Sequence, residues 1–361
     1  MKFIIRILLI GVSACGALIP SARAEDTAAH PVTLTLSGDV MLGRGVSENL
    51  DRTGPSYPLG NVAPILEKAD LALVNLESVL ASGGEKWTNP PRGFYFRADP
   101  TAVEVLTQAG VDGVTLANNH ILDFGYSGLA ETFTTLRRAG IRWAGAGSSV
   151  VEARKPALFQ AGKLSVALLA ATDNAPEYRA GTKNPGVWYL RIPPTPEFYD
   201  GLRVQINELR QAGVDLIIFS LHWGPNMREQ PLPSHVDLAH GLIDAGVDIV
   251  HGHSAHVFQG IELYNEGIIF YDTGDLVDDY FVTHAIDEQF LYRVSVEEGK
   301  FSKIELIPVK IQSNQVNLAD GETSLRAVNR MRDRSAPFGT EIRFNEGLGI
   351  INLKQDDKDK E

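Results

Sequence analysis

Ala212-Gly213-Val214-Asp215-Leu216-Ile217-Ile218-Phe219-Ser220-Leu221-His222-Trp223-Gly224 is the stretch from which the fold is read. It begins at the end of an amphipathic helix, where a glycine can take the left-handed conformation that stops a helix. A short turn follows, then an apolar run without alternation, which suits a strand buried on both faces of a helix-covered sheet. Polar residues close the unit. The unit recurs: Ala109-Gly110-Val111-Asp112 leads through Gly113-Val114-Thr115-Leu116 to Asn118-Asn119-His120, and Ala245-Gly246-Val247-Asp248 leads through Ile249-Val250 to His253 and His256. Lys68-Ala69-Asp70 leads through Leu71-Ala72-Leu73-Val74 to Asn75-Leu76-Glu77, without the glycine. Ala102, Val105 and Leu106 stand at helical spacing, as do Leu238, Leu242 and Ile243. The first apolar stretch, residues 32–36, alternates with threonine and runs into Ser37-Gly38-Asp39.

Helix alternating with strand predicts an α/β sandwich with at least some parallel strands. In such sheets functional groups collect beyond the carboxyl ends of the strands. Asp39, Glu77, Asn119, His120, His222, His253 and His256 all follow apolar runs of this kind, so one shared pocket is expected. Residues 260–320 change character: 268–271, 290–296 and 303–311 read as strands of a more antiparallel region, joined by turns such as Glu298-Gly299. Residues 324–334 read as a helix and 341–353 as a last strand pair. No Gly/Ser linker interrupts the chain, which predicts one domain over 25–353 and a charged tail over 354–361.

The chain has 361 residues, 44% hydrophobic and 22% charged. That is enough to bury a full core, and it excludes a disordered, collagenous or disulfide-scaffold protein. The only cysteine is Cys15, so neither a thiolate metal site nor a disulfide framework is available. Residues 1–24 have the parts of a secretory signal: Lys2 and Arg6, an apolar stretch, and Ala22-Arg23-Ala24 before Glu25. Cleavage after Ala24 and a periplasmic or cell-envelope location are expected. The alternative is a lipoprotein start, with Cys15 acylated. The net charge of −12 becomes more negative once Lys2, Arg6 and Arg23 are removed. An acidic body disfavours nucleic acid and anionic membrane faces as partners.

Carboxylate, amide and imidazole without thiolate make a donor set for Zn, Mn, Fe or Mg. Each residue also has a structural alternative: Asn118-Asn119 as turn formers, Asp39 as a cap, a single His as a hydrogen-bonded residue. Their joint position favours a polar site. The sequence has no G-x-S-x-G elbow, no phosphate loop of the G-x-x-x-x-G-K-[ST] type, and only a sparse Gly43-Arg44-Gly45.

Gly38-Asp39-Val40-Met41-Leu42-Gly43-Arg44, Asn75-Leu76-Glu77, Asn118-Asn119-His120 with Asp123 and Gly125, His222-Trp223-Gly224 and Gly252-His253-Ser254-Ala255-His256-Val257 form an ordered set. So does the later Tyr271-Asp272-Thr273-Gly274-Asp275-Leu276-Val277-Asp278-Asp279-Tyr280. Together they resemble the CapA-type capsule synthesis family, whose named members serve poly-γ-glutamate capsule production. That family in turn resembles the calcineurin-like metallophosphoesterases, which implies a four-layer αββα sandwich with mixed sheets. The resemblance implies that Asp39, Glu77, Asn119, His222, His253 and His256 are ligands of one or two divalent ions, with Glu77 at the bridging-carboxylate position. It implies His120 as general acid, oriented by Asp123. Three departures stand out. Met41 occupies the place of a ligand histidine, Asn118 replaces a glycine, and the late histidine motif is one residue longer.

Two functions are expected from this. One is an exported metal-dependent hydrolase acting on a phosphoester or amide of a surface polymer. The other is an accessory protein that binds the polymer, or the capsule synthesis and export membrane proteins, without turnover. A polyanion such as poly-γ-glutamate needs a local basic lining, and Arg44, Arg92, Arg97 and Arg228 lie in or near the loops of the expected active face. Residues 86–97 mix aromatic, proline and basic residues in a way that suits a rim gripping an extended chain.

Overall fold

The computed structural model describes residues 30–280 and 287–353. The expected signal segment 1–24, Cys15 and the tail 354–361 lie outside them. Seven strands carry or flank the expected site: β1 (Val32–Val40), β2 (Leu71–Leu76), β3 (Gly113–Thr115), β4 (Leu164–Thr172), β5 (Leu216–His222), β6 (Ile249–His253) and β7 (Asp275–Val277).

Two sheets face each other. Across the larger, ten-stranded sheet the main path runs Arg343–Asn345, Leu348–Asn352, Lys300–Gln312, Glu288–Glu297, β1, β2, β3, Arg142–Ala144, with β7 added beside β1. Strands β1, β2, β3 and Arg142–Ala144 are parallel, as are β1 and β7. Glu288–Glu297, Lys300–Gln312 and the strands beyond pair antiparallel, as the sequence of that region predicts. The smaller sheet runs Ile261–Tyr264, Gly267–Phe270, β6, β5, β4, Ala157–Ala161, parallel in its centre and antiparallel at both edges.

Every residue of β2, β5 and β6 is buried, which is the reason their runs do not alternate. In the smaller sheet the two faces divide by parity. Val166, Leu168, Ala170, Ile218 and Ile249 join the core shared with the larger sheet. Ala167, Leu169, Ile217, Phe219 and Val250 join a second core under the helices Pro196–Gln211 and Pro233–Asp244. Leu202, Ile206 and Leu209 supply the buried stripe of the first helix, which opens with Pro196 at its start and Glu197 in its first turn. Burying one such Leu or Ile contributes roughly 1.5–3 kcal/mol. On the larger sheet, Leu66, Val105, Leu106, Leu129 and Leu136 from short and long helices cover the other face. The layers are therefore helix, sheet, sheet, helix.

Gly110, Gly213 and Gly246 all take the left-handed conformation expected where the repeated unit leaves its helix, at φ of 70°, 87° and 105°. One element differs from expectation. The first strand does not stop at Leu36 but runs to Val40. A register irregularity between Leu36 and Asp39 lets it continue past Gly38, so Asp39 sits within the strand end rather than in a following loop. Among the described residues no helix is long and apolar enough to cross a membrane.

Candidate metal centre

The carboxyl ends of β1, β2, β3, β5 and β6 meet where the two sheets face each other. Gly38 is pressed against the backbone of the segment leading into β7: a Cβ there would lie 1.7 Å from the Gly274 carbonyl oxygen. The Asp39 amide donates to that same carbonyl at 2.9 Å. Only glycine permits this approach, and it sets the direction of the Asp39 side chain. Glu77 follows β2 and its amide donates to Val40 at 3.0 Å. After β3, Asn118 pins the turn: its amide donates to the Leu76 carbonyl at 2.8 Å and to Asn75 Oδ1 at 3.1 Å, and its Oδ1 accepts from the His120 amide at 3.0 Å. His222 and His253 end β5 and β6 in matching register. His256 sits in the next loop with φ of 61°.

The side chains converge. Asp39 Oδ1 accepts from Asn75 at 2.7 Å and lies 3.3 Å from His253 Nδ1 and 3.7 Å from His222 Nδ1. Asp39 Oδ2 lies 3.6 Å from His256 Nδ1. Glu77 Oε1 lies 3.7 Å from His222 Nε2 and 4.0 Å from His120 Nε2. Asn119 Oδ1 is 2.9 Å from His222 Nε2. Asp39, Glu77, His222 and His253 are all essentially inaccessible to solvent.

Two overlapping sets have ligand atoms within 4.8 Å of one another: Asp39, His222 and His253, and Asp39, Glu77 and His256. The residue common to both is Asp39, not Glu77. Asp39 Oδ2, both Glu77 oxygens and Asp275 Oδ2 are buried without a hydrogen-bond partner. An orphaned buried oxygen costs about 1–3 kcal/mol, more if charged. His222 Nδ1 and His253 Nδ1 face one another at 3.0 Å, where one must carry a proton or both must face a cation. A divalent ion held by these two sets would relieve the Asp39 and Glu77 oxygens and the His222–His253 contact, so the residues fit one.

The electrostatics agree. Burial pushes the Asp39 carboxyl up, but hydrogen bonds and charge from His222 and His253 outweigh it and hold it well below its usual range. Burial, then the neighbouring Asp39 charge, push Glu77 well above its usual range. His256 is raised despite burial, because Asp275 holds its Nδ1 at 2.9 Å. Burial lowers His253 to about 4. A metal would take carboxylate and neutral imidazole, so binding would release a proton from Glu77 and from His256, both raised, but none from Asp39 or His253, both lowered. Metal affinity is therefore expected to rise with pH, by up to about tenfold per unit for each proton released. Calorimetric titration with manganese at about pH 6 and about pH 8 checks the sign, and equal affinities would refute it.

His120 stands beside this group. Its Nδ1 lies 2.6 Å from Asp123 Oδ2, and its ring stacks on Phe96 at 3.9 Å. Asp123 is itself held by the Phe96 amide at 2.7 Å and the Tyr178 hydroxyl at 3.1 Å. Burial lowers the His120 pKa against the opposing pull of Asp123.

The four arginines divide. Arg92 lies 3.5 Å from Asp123 and 3.1 Å from Glu177, next to the His120 pair. Arg44 bonds Asp279 at 2.8 Å and lies over Phe94, Phe96 and Tyr280, one ring layer from His120 and His256. Arg97 instead packs on the Phe124 ring and donates to the Gly83 carbonyl. Arg228 is exposed and bonds the Gln230 carbonyl. Neither contact joins these last two to the cluster. Met41, at the place of an expected ligand, is buried, and its sulfur accepts from the Gly43 amide at 3.1 Å. Asn75, Asp275 and Tyr280 belong to the site but were not singled out from the sequence. Each lies in a quoted motif, and position after an apolar run is the signal available for Asn75.

Comparison with known proteins gives the chain's relatives. The profile of the family described as "Bacterial capsule synthesis protein PGA_cap" matches residues 33–280. A probable polyglutamine synthesis accessory protein of Mycobacterium tuberculosis is 32% identical over 356 residues, covering 86% of this chain and 93% of that protein. The capsule biosynthesis protein CapA of Bacillus anthracis is 28% identical over 347 residues, covering 95% and 79%. Among solved structures, the NAD nucleotidase of Haemophilus influenzae is similar with a TM-score of 0.41 and 11% identity, over 84% of this chain and 56% of that one.

Proposed function

The chain belongs to the bacterial capsule synthesis protein PGA_cap family, and we propose that it acts on a poly-γ-glutamate-like surface polymer as a metal-dependent hydrolase. The names of its relatives support a capsule-related role. The observation that carries the hydrolytic reading is the cluster of buried, unpartnered carboxylate oxygens among histidines, with a His–Asp pair at its edge.

Asp39, Glu77, Asn119, His222, His253 and His256 would hold the ion or ions. A bound divalent ion supplies Lewis-acid polarisation and a water of lowered pKa. His120, its Nδ1 proton committed to Asp123, presents Nε2 as the atom that takes up or hands on a proton. Phe96 and Tyr178 keep that pair in place, and the polyanion approaches past Arg44 and Arg92.

The accessory reading, binding without turnover, is favoured by the buried Met41 thioether at an expected ligand position. One experiment separates the two. Metal content of the purified protein is measured, and poly-γ-glutamate chain length is followed with manganese and with chelator. Metal-dependent shortening supports the hydrolase. Bound metal with unchanged polymer supports the accessory protein. A protein that takes up no metal refutes the metal-dependent site.

We also propose export. The mature chain is expected to begin at Glu25, and N-terminal sequencing of the protein recovered from the cell envelope checks it. A lipid-modified Cys15 would overturn the proposed cleavage.

A further inference from the structure

We propose that Asp272 is a positioning residue whose carboxyl group ties the loop carrying His256 to the turn carrying Asp275, and so sets the His256 ring against Asp275 and Asp39. The proposal deepens the metal-holding reading of the same site and rests on it for its purpose.

Asp272 lies where the chain crosses from one sheet to the other. It follows the strand Gly267–Phe270 of the smaller sheet and precedes β7 of the larger. The residue is buried, and each carboxyl oxygen accepts from a main-chain amide. Oδ1 takes the Gly274 N–H at 2.8 Å, two residues on. Alone, that bond would be an ordinary aspartate turn. Oδ2 takes the Ala255 N–H at 2.9 Å, seventeen residues back in the loop after β6. The Asp272 carbonyl also accepts from the Gln259 amide at 3.0 Å. Asp272 therefore grips the β6 loop on both sides of His256.

That loop needs holding. Ser254 has φ of 114° and His256 of 61°, left-handed values that residues other than glycine rarely adopt. Such conformations persist only where the surroundings over-determine them. Asn174 donates to Ser254 Oγ at 3.3 Å, the Met227 amide to the Ala255 carbonyl at 2.8 Å, and Gln289 to the His256 carbonyl at 3.0 Å. What Asp272 adds is the link to the neighbouring turn. Asp275 stands one residue past Gly274, and its Oδ1 lies 2.9 Å from His256 Nδ1. One carboxyl group thus sets the spacing between the two pieces of main chain that present this pair.

Both partners of the carboxyl are backbone N–H groups, which only donate, so both oxygens must accept. An ionised carboxyl does so, and a neutral one can too, with its own proton turned away. An asparagine cannot, because its Nδ2 has only protons to offer.

Asp272→Asn in the full-length chain therefore sets a donor against one of the two amides. Zinc affinity, by calorimetric titration, is expected to fall roughly 10–100-fold, the usual cost of losing an outer-shell partner. In a His256→Ala background the same substitution should change affinity by less than about threefold, because the residue it acts through is gone. An unchanged affinity overturns the proposal, and so do equal losses in both backgrounds, which would make Asp272 a general structural residue. The crystal structure of metal-free Asp272→Asn should show His256 Nδ1 more than about 3.5 Å from Asp275, beyond hydrogen-bond reach. A retained contact overturns the proposal. If the variant does not fold, the unsubstituted protein decides by amide hydrogen exchange. Its Ala255 and Gly274 amides should open as one unit, with protection within about tenfold of each other. A Gly274 amide that stays protected while Ala255 exchanges freely overturns the proposal. An unsubstituted chain that binds no zinc would remove the metal reading, while the crystal structure and the exchange would still decide the positioning.

Discussion

Asp39→Asn is expected to leave the protein unable to retain a cation at either ligand set. Asp39 is the one residue that reaches both, with Oδ1 toward His222 and His253 and Oδ2 toward His256. The substitution keeps the shape and leaves an oxygen to accept from Asn75, so the strand end has no reason to move. What is lost is a buried negative charge that nothing else supplies to both sets. The affinity loss should exceed the roughly 10–100-fold that follows from losing an outer-shell partner. Glu77→Gln provides the comparison. It spoils the set with His256 but leaves Asp39, His222 and His253 intact, so part of the metal should remain. Metal analysis by mass spectrometry, with circular dichroism to confirm folding, decides it. Wild-type metal content in Asp39→Asn would defeat the shared-ligand reading.

His120→Ala should behave in the opposite way, keeping its metal and losing turnover. His120 belongs to neither ligand set, and its nearer nitrogen is 4.0 Å from Glu77. Its other nitrogen is committed to Asp123, which leaves Nε2 for proton transfer. A placed acid–base group contributes roughly 10²–10⁴-fold in rate, and polymer cleavage by His120→Ala should fall by that factor. His253→Ala should lose metal instead. Loss of metal in both variants would make His120 a ligand, and cleavage surviving both would remove the catalytic reading.

Much of this arrangement can be read from the chain because it follows from position alone. A polar residue after an apolar, doubly buried run must emerge at a strand end, and Glu77, Asn119, His222 and His253 do so. What position does not reveal is direction. Arg97 and Arg228 occupy the expected loops, yet one turns onto Phe124 and the other stays in solvent. Asp275 reaches His256 only because β7 joins the larger sheet beside β1, a pairing that no local pattern announces. The extension of β1 past Leu36 depends on Gly38 meeting Gly274, a contact between segments more than two hundred residues apart.

The proposed ligands come from both sheets: Asp39, Glu77 and Asn119 from the larger, His222, His253 and His256 from the smaller. A cation gripped from both sides is then also a rivet between the layers, and its concentration enters the folding equilibrium by mass action. An ion at a hundredfold excess over its dissociation constant adds about 2.7 kcal/mol to the folded state. Scarcity of the ion would then not merely idle the site. It would loosen the sandwich itself and shorten the working life of each copy.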